Sequence, residues 1–360
     1  MNEVIKKIDE ISKEVHDEIH KNSPPHLNVP VRALSNVTFN KMDGFFQINE
    51  SVKKRTLTAA TVKTFAQTVR MMALSKELIK ADDTATKREA YYVSKNWGDA
   101  RFTEQPESDA VMDDIEAMLG VNREQMGFIP GEHGGAVAGE LVVIDVDFET
   151  KKELRIDCTR FGSGAYSIPS SVEHLKFETN AKFILAIETQ GAFERLNKHN
   201  FWKKQNCILI AMSGVPTRSC RRFIRKLSDE KNLPVYVFTD GDPYGFGNIY
   251  RTLKVGSGNA AHINEFFCVP RAKFIGVTPQ DVLDYNLPTH PLKEVDIKKI
   301  KDLIKNDPFI KQNLEWIEAL KMMANNKQRV EQQAFAAHGL NFVMDVYLPE
   351  KIKNPKKWLP

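Results

Sequence analysis

Two aspartates, Asp240 and Asp242, stand at the end of the apolar run Val235-Tyr-Val-Phe-Thr239 with only Gly241 between them, and Pro243 follows. A run of this length, rich in β-branched and aromatic residues, predicts a buried strand. A strand that stops at Asp-Gly-Asp-Pro sets two carboxylates at its carboxyl edge, where open α/β sheets bind their ligands. Pro243 can open a helix there, because its missing N–H is an orphan at the first helical position. Oxygen ligands this close together suit Mg²⁺. Ordinary turn chemistry also accounts for Asp and Gly after a strand. A calcium loop does not fit. Tyr244 falls at its fifth position and Arg251 at its twelfth, where a bidentate Glu is required.

A third carboxylate lifts the pair above a turn. Glu188 directly follows the apolar run Phe183–Ile187, and neighbouring parallel strands bring their carboxyl ends to one edge, so Glu188, Asp240 and Asp242 are expected to converge. The other reactive candidate is Tyr92, in Lys87-Arg88-Glu89-Ala90-Tyr91-Tyr92-Val93. Adjacent helical residues point about 100° apart, so one tyrosine is buried while the other faces outward. A Tyr-Tyr pair is usually core packing with a hydroxyl at solvent. Beside Arg and Lys on a DNA-reading module, the same phenol meets a phosphate, and the cations favour the phenolate that a nucleophile needs.

The elements that position these groups fall into three stretches. Residues 1–57 form an N-terminal extension that begins with Val4, Ile8, Ile11, Val15 and Ile19 at three- and four-residue spacing, an amphipathic helix closed by Asn22-Ser-Pro-Pro. This helix is expected to lie against a partner or dimer mate, or against the chain's own core. Residues 58–140 predict helices at 58–80, 86–96 and 108–119, then a glycine-rich β-wing at 126–139, the outline of a helix-turn-helix or winged-helix module. Lys53, Lys54, Arg55, Lys63 and Arg70 cluster at its start and Lys87, Arg88, Lys95 and Arg101 later, as on a DNA-binding face or any solvated helix. Residues 141–360 open with a hairpin-like pair, 141–148 and 154–158. The strands FILAIE, NCILIAM, VYVFTD and KFIGV then alternate with helical segments, so the fold class is multidomain α/β with a largely parallel sheet.

Composition bounds the function only loosely. The chain has 360 residues, 42% of them hydrophobic, and a formal net charge of +4, which permits nucleic-acid binding without demanding it. Cys158, Cys207, Cys220 and Cys268 are scattered, with no CxxC pair for zinc and no disulfide framework, as in a reducing cytoplasm. With neither a leader nor a membrane-spanning run, the expectation is a cytoplasmic protein. No GxxxxGK[ST] loop occurs, and Gly256-Ser-Gly258-Asn259 lacks the Lys that would cradle phosphates, so ATP is not handled here.

Strand-terminal Glu188 followed by Asp240-x-Asp242-x-x-Gly245 resembles the Toprim domain of topoisomerases, primases and some nucleases. With Arg88-Glu89-Ala90-Tyr91-Tyr92 upstream, the chain looks like the family of DNA topoisomerase VI A subunits and the meiotic double-strand-break transesterase. Gly214-Val215-Pro216 with Arg221, Lys327…Glu331-Gln332-Gln333-Ala334 and Tyr347-Leu348-Pro349 are similar to further family segments. The resemblance implies a CAP-like winged-helix domain followed by a Toprim domain, with Tyr92 as the nucleophile that forms a 5′-phosphotyrosyl link. Glu188, Asp240 and Asp242 would hold Mg²⁺, and Arg88 and Arg221 would bind the scissile phosphate, with Arg218 a rival. It further implies double-stranded DNA as substrate, a homodimer with active sites completed in trans, and an ATPase B subunit in an A2B2 heterotetramer at the nucleoid. The N-terminal helix is the candidate docking element for that ATPase. The alternatives are a transesterase without religation, a Toprim nuclease that uses water, and a DNA-binding protein without activity, against which the intact acidic triad argues.

Overall fold

Five consecutive residues, Phe183–Ile187, are each at most 5% exposed, as a strand covered on both faces must be. Each large apolar side chain removed from water here contributes about 1.5–3 kcal/mol. The computed structural model, which describes residues 2–131 and 134–360, makes this strand the centre of a six-stranded sheet. The sheet order is Tyr166–Ser167, Ala136–Gly139, Cys207–Ala211, Phe183–Ile187, Val235–Phe238 and Lys273–Phe274. The last four run parallel, in the register Ile187↔Ala211 and Ile187↔Phe238, and the first two are antiparallel. The parallel register lines up the carboxyl ends at residues 187, 211 and 238, which is the edge that Glu188 and Asp240 follow. Phe193, Leu196, Phe335, Tyr347 and Leu348 from the flanking helical segments close the core over Leu185, Leu209 and Phe238.

The chain divides into two contact units. The unit containing this sheet takes residues 41–45, 134–256 and 267–360, and it also holds a three-stranded antiparallel sheet, Lys176–Glu178, Val142–Val146 and Glu153–Asp157. The other unit, of residues 2–40, 46–131 and 257–266, is mainly helical. Its helices Val62–Ala81, Lys87–Val93 and Gln105–Leu119 bury Phe65, Met71, Met72, Ala90, Val111, Met112 and Ile115 in one core. Gly120, at φ 58°, ends the last of them in the left-handed conformation that a residue without Cβ adopts at no steric cost.

Two expectations are corrected. The glycine-rich stretch forms no β-wing among the described residues: Phe128–Ile129 pairs in parallel with Ala85–Thr86, and Ala136–Gly139 joins the large sheet beside Cys207–Ala211. Gly139 makes this possible, since at φ 112° it brings its backbone against the Cys207 carbonyl, where a Cβ would come within 2.6 Å. Residues 1–57, expected as an extension, contribute to the core of the helical unit. The helix Glu3–His20 buries Val4 and Ile8 beside Leu27, Val29 and Met72, so of the two placements open to its apolar stripe the chain's own core is the one found. Among the described residues no helix is long and apolar enough to cross a membrane.

Candidate active site

Each carboxylate at the sheet edge is held by a backbone N–H. Glu188 Oε2 accepts from Asp240 N at 2.9 Å, Asp240 Oδ1 from Gln332 N at 2.8 Å, and Asp242 Oδ1 from Gly245 N at 2.6 Å. Each thus commits one oxygen to the protein and keeps the other for a ligand. The turn between the aspartates is clamped by Val330, whose N–H and carbonyl both bond to Gly241, at 3.1 and 2.8 Å. Gly241 is required there, because a Cβ would lie 2.5 Å from both the Val277 carbonyl oxygen and Val330 Cγ1. Gln332, 3% exposed, ties the strand ends together: its amide donates to the Phe238 carbonyl at 2.9 Å and its Oε1 accepts from Thr189 Oγ1 at 2.8 Å.

Burial and mutual repulsion govern the electrostatics. Desolvation, then the Asp240 charge, pushes Glu188 up to about 8, and desolvation with Asp242 close by raises Asp240 to about 6 despite the Gln332 N–H. Asp242 is also raised by burial, against the Gly245 and Tyr244 N–H groups and the Arg329 guanidinium, whose Nη1 lies 4.0 Å from Oδ2. Carboxyl groups that resist ionisation together, each with an oxygen to spare, form an oxygen-rich set short of positive charge. That donor chemistry fits a hard divalent cation such as Mg²⁺, which keeps part of its water shell and needs only one or two direct carboxylates.

The tyrosine helix is built as its sequence requires. Thr86 Oγ1 accepts from Glu89 N at 3.1 Å and Glu89 Oε2 from Thr86 N at 2.6 Å, a reciprocal cap for Lys87–Val93. The two tyrosines diverge: Tyr91 is half-buried, with its hydroxyl donating to the Thr103 carbonyl at 3.1 Å and Lys95 Nζ 4.0 Å from its ring, whereas Tyr92 is 56% exposed. Arg88, one turn earlier, lies 5.8 Å from the Tyr92 ring and makes no ion pair among the described residues. Other cations of the predicted basic face are committed: Arg55 to Asp114 at 2.7 Å, Lys63 to Glu107 at 3.4 Å, Lys87 to Asp109 at 2.6 Å.

The structure brings Glu188, Asp240 and Asp242 to one edge and sets Arg88 beside Tyr92. Arg221 and Arg218 lie on the helix Arg218–Lys231, stacked 5.5 and 4.5 Å from the Phe267 ring. Sequence reasoning gave Gln332 no role and missed Arg329; the pattern Glu331-Gln332-Gln333 was the one local signal near them. Among the described residues, the group of three potential ligands whose atoms all lie within 4.8 Å of one another is Asp113, Glu116 and His262. Arg123 already occupies it, with Nη2 3.0 Å from Asp113 Oδ1 and 3.2 Å from Glu116 Oε2.

Comparison with known proteins decides the family. Residues 183–352 match the model for the Toprim domain of topoisomerase 6 A subunits and Spo11; residues 63–128 match Type IIB DNA topoisomerase; and residues 131–181 match the all-beta domain of the DNA topoisomerase VI alpha chain. The chain is 54% identical to the type 2 DNA topoisomerase 6 A subunit of Methanocaldococcus jannaschii over 98% of this chain and 95% of the relative. It belongs to the type IIB topoisomerase A-subunit family. The like-named proteins of Pyrococcus abyssi, 37% identical over 98% of this chain and 94% of the relative, and Methanothermobacter thermautotrophicus, 34% over 97% of each, extend the match. The chain is therefore a DNA-topoisomerase subunit, an enzyme whose second half is a Toprim domain. The all-β match accounts for the three-stranded sheet, which the sequence shows only as a hairpin.

Proposed function

We propose that this chain is the DNA-breaking and rejoining subunit of an ATP-dependent type II topoisomerase, with Tyr92 as nucleophile and Glu188, Asp240 and Asp242 as magnesium ligands. The observation that carries the reading is the pairing of an exposed phenol beside Arg88 with three half-buried carboxylates that each keep a free oxygen. Tyr92 Oη attacks the phosphorus of a DNA phosphodiester, its proton leaves, and the bond from phosphorus to the 3′ oxygen breaks. The products are a 5′-phosphotyrosyl link and a free 3′-hydroxyl, and the reverse attack by that hydroxyl reseals the strand with no loss of bond energy. Mg²⁺ at the acidic corner supplies charge against the pentacoordinate phosphate and the leaving 3′ oxygen. Arg88, with its guanidinium fork, is matched to the scissile phosphate, and Arg221 or Arg218 to a phosphate on the Toprim unit.

The helical unit is proposed as the CAP-like winged-helix module that reads duplex DNA, with 58–140 as its extent and 141–360 as the Toprim region with its C-terminal helices. Cutting both strands needs two centres, and a twofold homodimer matches the pseudo-symmetry of the duplex, each tyrosine working with the other protomer's magnesium site. With no phosphate-cradling loop in the chain, ATP is left to a B subunit in an A2B2 assembly. Four free, buried cysteines suit work on DNA in a reducing cytoplasm. Supercoiled plasmid incubated with the chain, a B subunit, ATP and Mg²⁺ should be relaxed and yield protein covalently attached to 5′ ends. Relaxation and adduct should both vanish with EDTA. A wild-type assembly that relaxes nothing and leaves no adduct contradicts the proposal.

A further inference from the structure

Of the cations near the acidic corner, Arg329 is the one whose hydrogen bonding is unfinished. Its Nε is buried without a hydrogen-bond partner among the described residues, and its ion pair is long, Nη1 to Asp242 Oδ2 at 4.0 Å. That separation is a Coulombic contact, outside hydrogen-bond range. A guanidinium carries five N–H donors, and a buried donor left without an acceptor costs ~1–3 kcal/mol, so the arrangement asks for another anion. Comparable arginines in the same unit close on their carboxylates: Arg222 grips Glu173 at 2.7 and 2.8 Å, and Arg251 meets Asp307 at 2.6 Å. A residue serving only as the counter-charge of Asp242 would close in the same way.

The backbone gives Arg329 a fixed station. It pairs with His290 in a short antiparallel ladder, and the next residue, Val330, is the clamp on Gly241. Its side chain is 23% exposed, so the head is held at the corner and still reaches solvent. The surroundings are otherwise acidic, since Glu331 and Asp296 add to the charge felt by Asp240 and Asp242, while Arg329 offsets both. A DNA phosphate approaching this corner needs local positive charge, and a partly exposed guanidinium fork provides it in the geometry that phosphate prefers.

We propose that Arg329 is a substrate-binding residue that holds a DNA-backbone phosphate beside the Glu188, Asp240 and Asp242 corner. This rests on the corner being where DNA is cut. The test uses the full-length chain, a fluorescent DNA duplex and Mg²⁺ across a salt series, with Arg329→Gln and Arg329→Lys compared with wild type. Loss of one phosphate contact per protomer lowers the salt slope of log affinity by about 0.9. Arg329→Gln is expected to show that drop and to need no more Mg²⁺ for cleavage, because removing a positive charge does not weaken the hold on a cation. Arg329→Lys keeps the charge and loses the fork, so it should keep the slope and bind several-fold more weakly. An Arg329→Gln slope equal to wild type overturns the proposal; if that variant does not fold, an Arg329→Lys affinity equal to wild type overturns it instead. A wild-type chain that forms Mg²⁺-dependent adducts while the variants match it fails Arg329 alone. A wild type without adducts removes the reading beneath it as well.

Discussion

At the scale of single residues, the acidic corner makes a statement about pH. Glu188, at about 8 in the fold against an ordinary 4.5, keeps its proton where the unfolded chain has lost it. Below 4.5 it is neutral in both states and costs nothing; as pH rises towards 8 the folded state binds more protons than the unfolded one, so stability falls across that window and levels off above it. Metal-free protein should therefore lose thermal stability from pH 4.5 to about 8, and Glu188→Gln should flatten part of that loss. The size expected is a few kcal/mol at the upper end. Mg²⁺ should stabilise wild type far more at the alkaline end, where binding a cation relieves the repulsion. Thermal unfolding in EDTA and in Mg²⁺ reads both effects, and equal pH slopes for the two proteins would contradict the assignment of Glu188.

At the scale of elements, the site depends on a turn and a cap. Gly241→Ala puts a methyl group 2.5 Å from the Val277 carbonyl oxygen and from Val330 Cγ1, so the clamp must open. Crowding of this kind costs about 1–3 kcal/mol, and Mg²⁺-dependent cleavage should fall by far more than DNA binding does. Thr86→Ala removes one half of the cap on the Tyr92 helix, a loss of about 1 kcal/mol. Single-turnover cleavage should slow with DNA affinity unchanged; an unaltered rate would mean that the helix is held by packing alone. These elements were largely legible in the sequence, because a buried parallel strand is a continuous apolar run and the carboxylate at its end is local information. The same holds for Tyr91 and Tyr92, which helical geometry separates. What was illegible is non-local. Gln332 caps Asp240 across 92 positions, and no periodicity announces that pairing. Ala136–Gly139 has little β-branched content to mark it as a strand, and it is held in the sheet by a close backbone approach at Gly139.

At the scale of the whole molecule, the sequence showed that the stripe on Glu3–His20 must be covered without showing by what; Leu27, Val29 and Met72 cover its N-terminal half, and Ile19 remains 54% exposed. Docking of a B subunit by this helix is thus confined to its outer face and C-terminal end. Two units, one carrying the phenol and the other the carboxylates, raise the question of which protomer supplies which. Protomers bearing only Tyr92→Phe, mixed with protomers bearing only Glu188→Ala, should restore cleavage of one strand if the centres are completed in trans. A mixture that nicks nothing speaks for centres completed within one chain. The central claim is that Tyr92, and not its half-buried neighbour Tyr91, becomes joined to DNA. Mass spectrometry of the tryptic peptide left on 5′ ends after Mg²⁺-dependent cleavage tests it most directly. The account predicts a nucleotide adduct on Tyr92 and no adduct from Tyr92→Phe; an adduct on Tyr91, or undiminished cleavage by Tyr92→Phe, would contradict it.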